Sequence, residues 1–184
     1  MKKILFSDMY SLTKSVLERR KTQTRRLVPK DFFTLAWDER GDTLVYENEE
    51  GDFIDIRDSK YAIFKVGEIV AIAQRYSEIG IEPFPFCENG WNNKMFVRAE
   101  ACKHQIRITS VRSERLQDIT DEDCMKEGIQ VLDGRYYYRD SEGRIVDDFD
   151  NPRAAFASLI NKISGRGTWE RNPFVWVYEF KLVK

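Results

Sequence analysis

Residues that build metal sites or paired catalytic groups are scarce in this 184-residue sequence. There is one histidine, His104, and the three cysteines, Cys87, Cys102 and Cys124, show no CxxC spacing. A single histidine excludes mechanisms and metal sites that need two. An odd number of widely spaced cysteines supports neither a disulfide framework nor a zinc site. We therefore predict reduced cysteines and a function that needs no metal or other cofactor.

Long apolar runs are also absent. No stretch approaches the ~20 apolar residues of a membrane-spanning helix, and the segment Met1–Asp8 meets a charge too early for a signal peptide. We expect a soluble, cytoplasmic protein with no membrane partner. An aromatic share of 13% argues against a disordered chain, and the length suits one domain. The oligomeric state is left open.

Positive and negative charges nearly balance, with 30 Lys and Arg against 31 Asp and Glu, but they are unevenly spread. Residues 14–30 contain seven basic residues and one acid, whereas residues 38–58 contain nine acids and two arginines. A milder basic stretch covers residues 103–115. Such an arrangement can give one face a positive potential that attracts phosphates. Two solvated faces of opposite sign explain the pattern equally well.

Short strands with intervening turns dominate the predicted structure. A helix capped by Ser7 or Asp8 carries Leu12 and Val16 on one side, Thr120 caps a second helix, and Pro152 begins a third that ends at Gly165. Strands are predicted at residues 4–6, 22–28, 32–37, 43–46, 53–56, 69–73, 95–99, 105–111, 136–138, 144–146 and 174–183. Residues 77–93 are predicted to be an irregular loop. This inventory indicates an α+β fold around a β-barrel or a strongly twisted sheet.

Five stretches follow one another in a specific order from end to end. They are Arg-Lys-Thr-Gln-Thr-Arg-Arg at residues 20–26, Val-Gly-Glu-Ile-Val at 66–70, residues 108–120, Glu-Gly-Ile at 127–129 and the aromatic segment 169–180. In this order they resemble the ASCH domain family of the PUA-like superfamily. The resemblance implies one domain over residues 1–184, a PUA-like β-barrel with flanking short helices, and insertions near 31–60, 77–93 and 130–150. Longer members with this layout resemble phage and prophage proteins.

The resemblance also implies a cleft that accepts RNA or a modified nucleoside. Some compact members are amidohydrolases that deacylate N4-acetylcytidine, and their catalytic residues match Lys21, Thr24 and Glu127 here. The expected ligand-binding residues are basic or hydroxylic: Arg20, Thr22, Arg25, Arg26 and Arg107. Gln74 stands where many longer relatives carry a glutamate, which weakens the case for an identical reaction.

The three catalytic candidates require a particular local geometry. Lys21 and Thr24 are three residues apart, so a straight strand would direct them to opposite faces, and a bend must follow the first helix. A lysine that activates the Thr24 hydroxyl needs a pKa well below ~10.4, and Glu127 would then protonate the leaving amine. A non-catalytic nucleic-acid reader is the main alternative. An RNA-cleaving enzyme is a third, although the sequence shows no obvious machinery for it.

Overall fold

Eleven strands and six α-helices lie within residues 1–28, 35–37, 44–47, 50–55, 57, 62–82 and 88–184, which the computed structural model describes. The strands are β1 (Lys2–Ile4), β2 (Gln23–Leu27), β3 (Leu35–Trp37), β4 (Leu44–Glu47), β5 (Phe53–Asp55), β6 (Ile69–Ile72), β7 (Gln105–Arg115), β8 (Gln130–Leu132), β9 (Arg135–Arg139), β10 (Ile145–Phe149) and β11 (Phe174–Leu182). The helices are α1 (Leu12–Leu17), α2 (Tyr76–Ile79), α3 (Glu88–Trp91), α4 (Asp121–Lys126), α5 (Pro152–Ser164) and α6 (Thr168–Arg171). No described helix has the length and apolar character that a membrane crossing needs.

A five-stranded sheet in the order β1-β6-β7-β11-β2 forms the centre of the fold. β1 pairs with β6 in parallel, and the other neighbours are antiparallel. Among the described residues the sheet stays open, with β1 and β2 at its edges. A side chain connects the two edges where no backbone hydrogen-bond ladder does. The Arg26 guanidinium of β2 donates to the carbonyl of Leu5, just after β1. The α+β class is therefore confirmed, whereas closure into a barrel is not.

The hydrophobic core packs against the central sheet and includes the apolar side of α5. β7 contributes Ile106 and Ile108, two residues apart, as the two-residue period of a strand requires. β11 contributes the four consecutive buried residues 175–178, so both of its faces are covered there. The apolar side of α5, including Phe156, belongs to the same cluster. The core thus fixes α5 relative to β11 and its neighbour β2.

Local sequence signals place most of the elements correctly. The hydroxyl of Thr120 accepts from the Asp123 amide at 3.1 Å, which confirms the predicted cap of α4. Pro152 occupies the first turn of α5, and the chain turns away at Gly165, where φ is +98°. The first helix begins later than expected, at Leu12, because residues before it form a turn that ends in the left-handed conformation of Ser11.

The strand predicted at residues 95–99 is wrong. The ammonium of Lys3 donates to the carbonyls of Lys94, Met95 and Val97 at 3.0, 2.7 and 2.5 Å, so a side chain satisfies backbone acceptors that a strand would present to a neighbour. Met95 is also 62% exposed. The predicted loop at 77–93 contains most of α2 and all of α3, and its residues 83–87 lie outside the described residues.

Two three-stranded antiparallel sheets flank the central sheet, in the orders β3-β4-β5 and β10-β9-β8. They match the predicted meander and the predicted hairpin near 130–150. Residues 32–34, 43 and 56 of the predicted strands lie outside the described residues. Both sheets fall in segments that the sequence marks as insertions, and their status as insertions in a single domain stays a prediction.

Candidate functional site

A cavity of about 400 Å³ lies at the open seam of the central sheet. One side of the cavity is formed by Lys21 and by β2, which begins two residues later. The other side is formed by residues 5–7, which follow β1. The polar residues of its lining include Lys21, Thr24, Arg26 and Glu127. The opposite wall is apolar and comes largely from α5. A volume in this range, with a few polar groups against apolar walls, is typical of small-molecule sites.

Lys21 and Glu127 form a buried ion pair in the wall of this cavity. The side chains are 2% and 5% exposed. Nζ of Lys21 donates to Oε2 of Glu127 at 2.5 Å and to the Glu127 carbonyl at 2.7 Å. Glu127 caps the C-terminus of α4, and Gly128 follows with φ of +107°. That backbone conformation is one that glycine adopts with the least strain, so the Glu-Gly sequence allows the chain to turn directly after Glu127.

Burial is the largest influence on the Lys21 ammonium and lowers its pKa, while the Glu127 carboxylate opposes the shift and Arg26 and Arg25 add to it. Apart from its bond to carbon, Nζ has three tetrahedral positions, and the two hydrogen bonds to Glu127 use two of them. In the neutral amine the third position is a lone pair. Because Lys21 lines the cavity, its geometry is compatible with a proton acceptor once the amine is neutral.

A sharp bend after α1 brings Thr24 to the same cavity. Arg19 adopts the left-handed conformation, with φ of +60°, and the amides of Arg20 and Lys21 both donate to the Ser15 carbonyl, at 2.9 and 3.0 Å. β2 begins after this bend and places Thr24 opposite Tyr178. Thr24 is 4% exposed, and within the described part of the chain no group forms a hydrogen bond to its hydroxyl. Its Oγ1 is therefore unengaged in the cavity wall.

Arg25 also lines the cavity, and its guanidinium is engaged by acceptors of the protein. We expected a ligand-binding residue, but its side chain is fully buried and surrounded by acceptors. It donates to Glu127 Oε1 and Asp123 Oδ2, both at 3.1 Å, and to Glu114 Oε1 at 2.6 Å. The Gln23 amide oxygen accepts another bond at 2.5 Å. Arg25 thus orients the Glu127 carboxylate, which in turn binds Lys21. The positive charge of Arg25 is neutralised by carboxylates within the protein.

Arg112 extends this network on the far side from the cavity. It donates to Glu114, Asp123 and Glu179 at 3.0, 2.6 and 2.9 Å. Burial raises the pKa of Asp123, but hydrogen bonding from Arg25 and the charges of Arg112 and Arg25 outweigh it, so that pKa lies below its ordinary value. Sequence reasoning missed Glu114, Asp123 and Arg112. The available signal was the two-residue spacing of Gln23 with Arg25 and of Arg112 with Glu114, which places each pair on one face of its strand.

Arg26 lines the cavity and has no ion-pair partner among the described residues. Besides its bond to Leu5, its guanidinium lies 5.8 Å from the centre of the Phe6 ring. Arg26 and Arg25 are the two predicted ligand-binding residues that line the cavity with Lys21 and Thr24.

The remaining predicted residues lie elsewhere. Arg20 is exposed and donates to Glu18 and to the Ser15 hydroxyl, so it is used at the end of α1. Thr22 lines a second, smaller hollow, and Arg107 is exposed on β7. None of these three lines the main cavity. Arg20 was expected there from its place in the motif, but the bend after α1 directs it to solvent.

Two further residues raised by the sequence do not contribute to the cavity. The amide oxygen of Gln74 accepts from the backbone of Lys103 and His104 at 2.5 and 3.3 Å, so it fixes the turn before β7. Cys124 is buried, and burial raises the pKa of its thiol to about 12, which suits packing and not nucleophilic chemistry. Among the described residues no group of His, Cys, Asp and Glu has the arrangement of a metal site.

Comparison with known proteins finds a similar solved structure. No family model matches the sequence, and no curated protein matches it. Among solved structures, the chain is similar to the ASCH domain from Lactobacillus crispatus JV V101, with a TM-score of 0.41 and 11% sequence identity. The similarity covers 98% of this chain and 78% of that one.

Proposed function

We propose that the seam cavity binds a modified nucleoside and hydrolyses an amide on its base, with N4-acylated cytidine as the substrate class. The observation that carries the proposal is the convergence of Lys21, Thr24 and Glu127 on one cavity, where Lys21 is buried against Glu127 and the Thr24 hydroxyl is unengaged. The apolar wall of α5 suits the faces of a base and an acyl group. The phage-type subfamily stays a prediction.

The reaction follows from these positions. Oγ1 of Thr24 attacks the amide carbonyl while neutral Lys21 takes the hydroxyl proton. The carbon–nitrogen bond breaks, the leaving amine takes a proton from Lys21, and the acyl group remains on Thr24 as an ester. Water then attacks the ester with Lys21 again as base, which releases the carboxylic acid and restores the hydroxyl. Arg26 is the cation placed to stabilise negative charge on the carbonyl oxygen.

This assignment changes the role expected of Glu127. As the acceptor of hydrogen bonds from both Lys21 and Arg25, it is positioned as an ionised carboxylate that orients Lys21. Lys21, not Glu127, then carries the proton between nucleophile and leaving group. The non-catalytic alternative uses the same cavity, with Arg26 and Glu127 contacting a base that is bound and released unchanged.

The test incubates the protein with N4-acetylcytidine and follows the release of cytidine by chromatography. We expect turnover by the wild type, loss with Lys21→Ala and Thr24→Ala, and strong reduction with Glu127→Gln. Thr24→Ser retains a hydroxyl and should retain part of the activity. Thr109→Ala, an exposed threonine on β7, is the matched control and should behave as the wild type.

Thermal melting of each variant separates loss of chemistry from loss of fold. If the wild type binds the nucleoside but forms no cytidine, the catalytic proposal is refuted and the reader is supported. Full turnover by Thr24→Ala would remove the nucleophile assignment.

A further inference from the structure

A second hollow lies on the other side of Lys21, at the outer end of β11. It has a volume of about 210 Å³ and is lined by Val16, Arg19, Lys21, Thr22, Lys181 and Leu182. Its exposed charged residues are Arg19 and Lys181, both positive. Lys21 is buried and directed to Glu127, so it forms the partition between this hollow and the seam cavity.

The strand register adds a third cation beside the hollow. Lys181 of β11 lies directly opposite Arg107 of β7, and both residues are exposed. Like charges in directly opposed positions of an antiparallel pair destabilise a sheet. In the described part of the chain no carboxylate lies within ion-pair distance of Arg19, Lys181 or Arg107. Within the residues that the structure describes, these three positive charges therefore have no neutralising carboxylate.

The backbone at Arg19 gives a second, independent indication. This residue follows the end of α1 and has φ of +60°, a conformation in which glycine is the least strained residue. An arginine at this position adopts a conformation that glycine would adopt more easily. The side chain that results lines the hollow. The negative end of the α1 dipole favours a basic residue at this point, so the opposed pair Lys181 and Arg107 is the feature that a requirement for positive charge explains and folding stability does not.

We propose that Arg19, Lys181 and Arg107, with the hydroxyl of Thr22, form an anion site that takes phosphate groups of a single-stranded nucleic acid. Exposed guanidinium, ammonium and hydroxyl groups are the donors that contact a phosphate backbone. The seam cavity differs in kind, because its rim carries the exposed aliphatic residues Leu27, Ile63 and Ile163. The phosphates would thus be held at the hollow, outside the cavity, and the site does not depend on whether the cavity is catalytic.

The test measures binding of a short labelled single-stranded RNA, a DNA of the same base sequence and cytidine monophosphate as salt concentration is varied. The site variant is Arg107→Gln with Lys181→Gln. The control variant is Arg98→Gln with Arg144→Gln, which removes two exposed positive charges from other parts of the fold. Both variants have the same net charge, so a difference in their affinity for nucleic acid depends on where the removed charges lie.

We expect the site variant to bind RNA or DNA about tenfold more weakly at low salt and the control to bind as the wild type. Loss of two phosphate contacts should reduce the slope of log affinity against log salt by about 1.4. If only cytidine monophosphate shows the loss, the phosphate chemistry is still supported, with a free nucleotide as its source.

Equal weakening by the two variants, or weakening by neither, would overturn the proposal. The site variant should also melt at the wild-type temperature or above it, because it relieves the repulsion between opposed strands. A clear fall in its melting temperature would show that the pair serves the fold and would contradict the inference. Turnover of a free nucleoside should be unchanged in this variant, so failure of the anion site and failure of the proposed hydrolysis are distinguishable.

Discussion

Replacing Arg25 with methionine is the most informative perturbation of the network behind the cavity. The guanidinium is fully buried and contacts three carboxylates, those of Glu114, Asp123 and Glu127. Methionine preserves much of the apolar stem but leaves the carboxylates short of one positive charge. Removing one partner of a buried ion pair typically costs about 3–5 kcal/mol, because an uncompensated buried charge remains. We expect the free energy of unfolding to fall by about that amount.

Urea unfolding monitored by tryptophan fluorescence measures this loss. A small domain has a total stability of about 5–15 kcal/mol, so Arg25→Met should still fold. With an m value of about 2 kcal/mol/M, the midpoint should fall by about 2 M urea. The matched control is Arg20→Met, which removes an exposed arginine paired with Glu18. Exposed pairs contribute about 0–1 kcal/mol, so the control should unfold close to the wild type.

The comparison decides between two roles for Arg25. A loss below ~1 kcal/mol together with weakened ligand binding would refute the structural role and restore the sequence-based interpretation of Arg25 as a ligand contact. A large loss of stability, with ligand contacts supplied by Arg26, is the result that the geometry predicts.

Three further predictions follow from the same network and its supporting elements. The pKa of Asp123 lies below its ordinary value, so its contribution to stability is present above about pH 4 and is lost as pH falls through that lowered pKa. Arg25→Lys should move this loss of stability to higher pH, which the dependence of melting temperature on pH measures. Because burial lowers the pKa of Lys21, kcat/KM for an N4-acylcytidine should rise with pH through a value below 10.5, and a flat profile would contradict its role as base. Thr120→Ala removes the cap of α4 and should cost about 0.5–2 kcal/mol in urea unfolding, whereas Thr109→Ala should cost less.

The sequence predicted the elements whose signals are local. The cap at Thr120 and the turn into α5 at Pro152 each depend on neighbours in the chain, and each appears in the structure. The terminal strand β11 also appears, but its residues 175–178 are all buried and do not alternate. The convergence of Lys21, Thr24 and Glu127 was expected only through the family resemblance, since Lys21 and Glu127 are far apart in sequence.

What the sequence missed depends on long-range contacts. Nothing near Arg25 in the chain indicates that Glu114 and Asp123 will surround it, so its burial and its ion pairs were not predicted. Residues 95–99 were predicted to be a strand, yet Lys3, more than 90 positions away, binds the carbonyls of Met95 and Val97. Likewise, the solvent exposure of the residues in a predicted strand cannot be assigned until its partner strands are known. Propensity describes the backbone locally, whereas burial and charge pairing are set by the tertiary fold.

The most direct test of the hydrolytic site is mass spectrometry of the protein quenched during turnover of an N4-acylcytidine. We predict an acyl group on the peptide that contains Thr24, absent from Thr24→Val and present, with slower turnover, in Thr24→Ser. Undiminished cytidine release by Thr24→Val, with no acylated peptide in the wild type, would contradict attack by this hydroxyl.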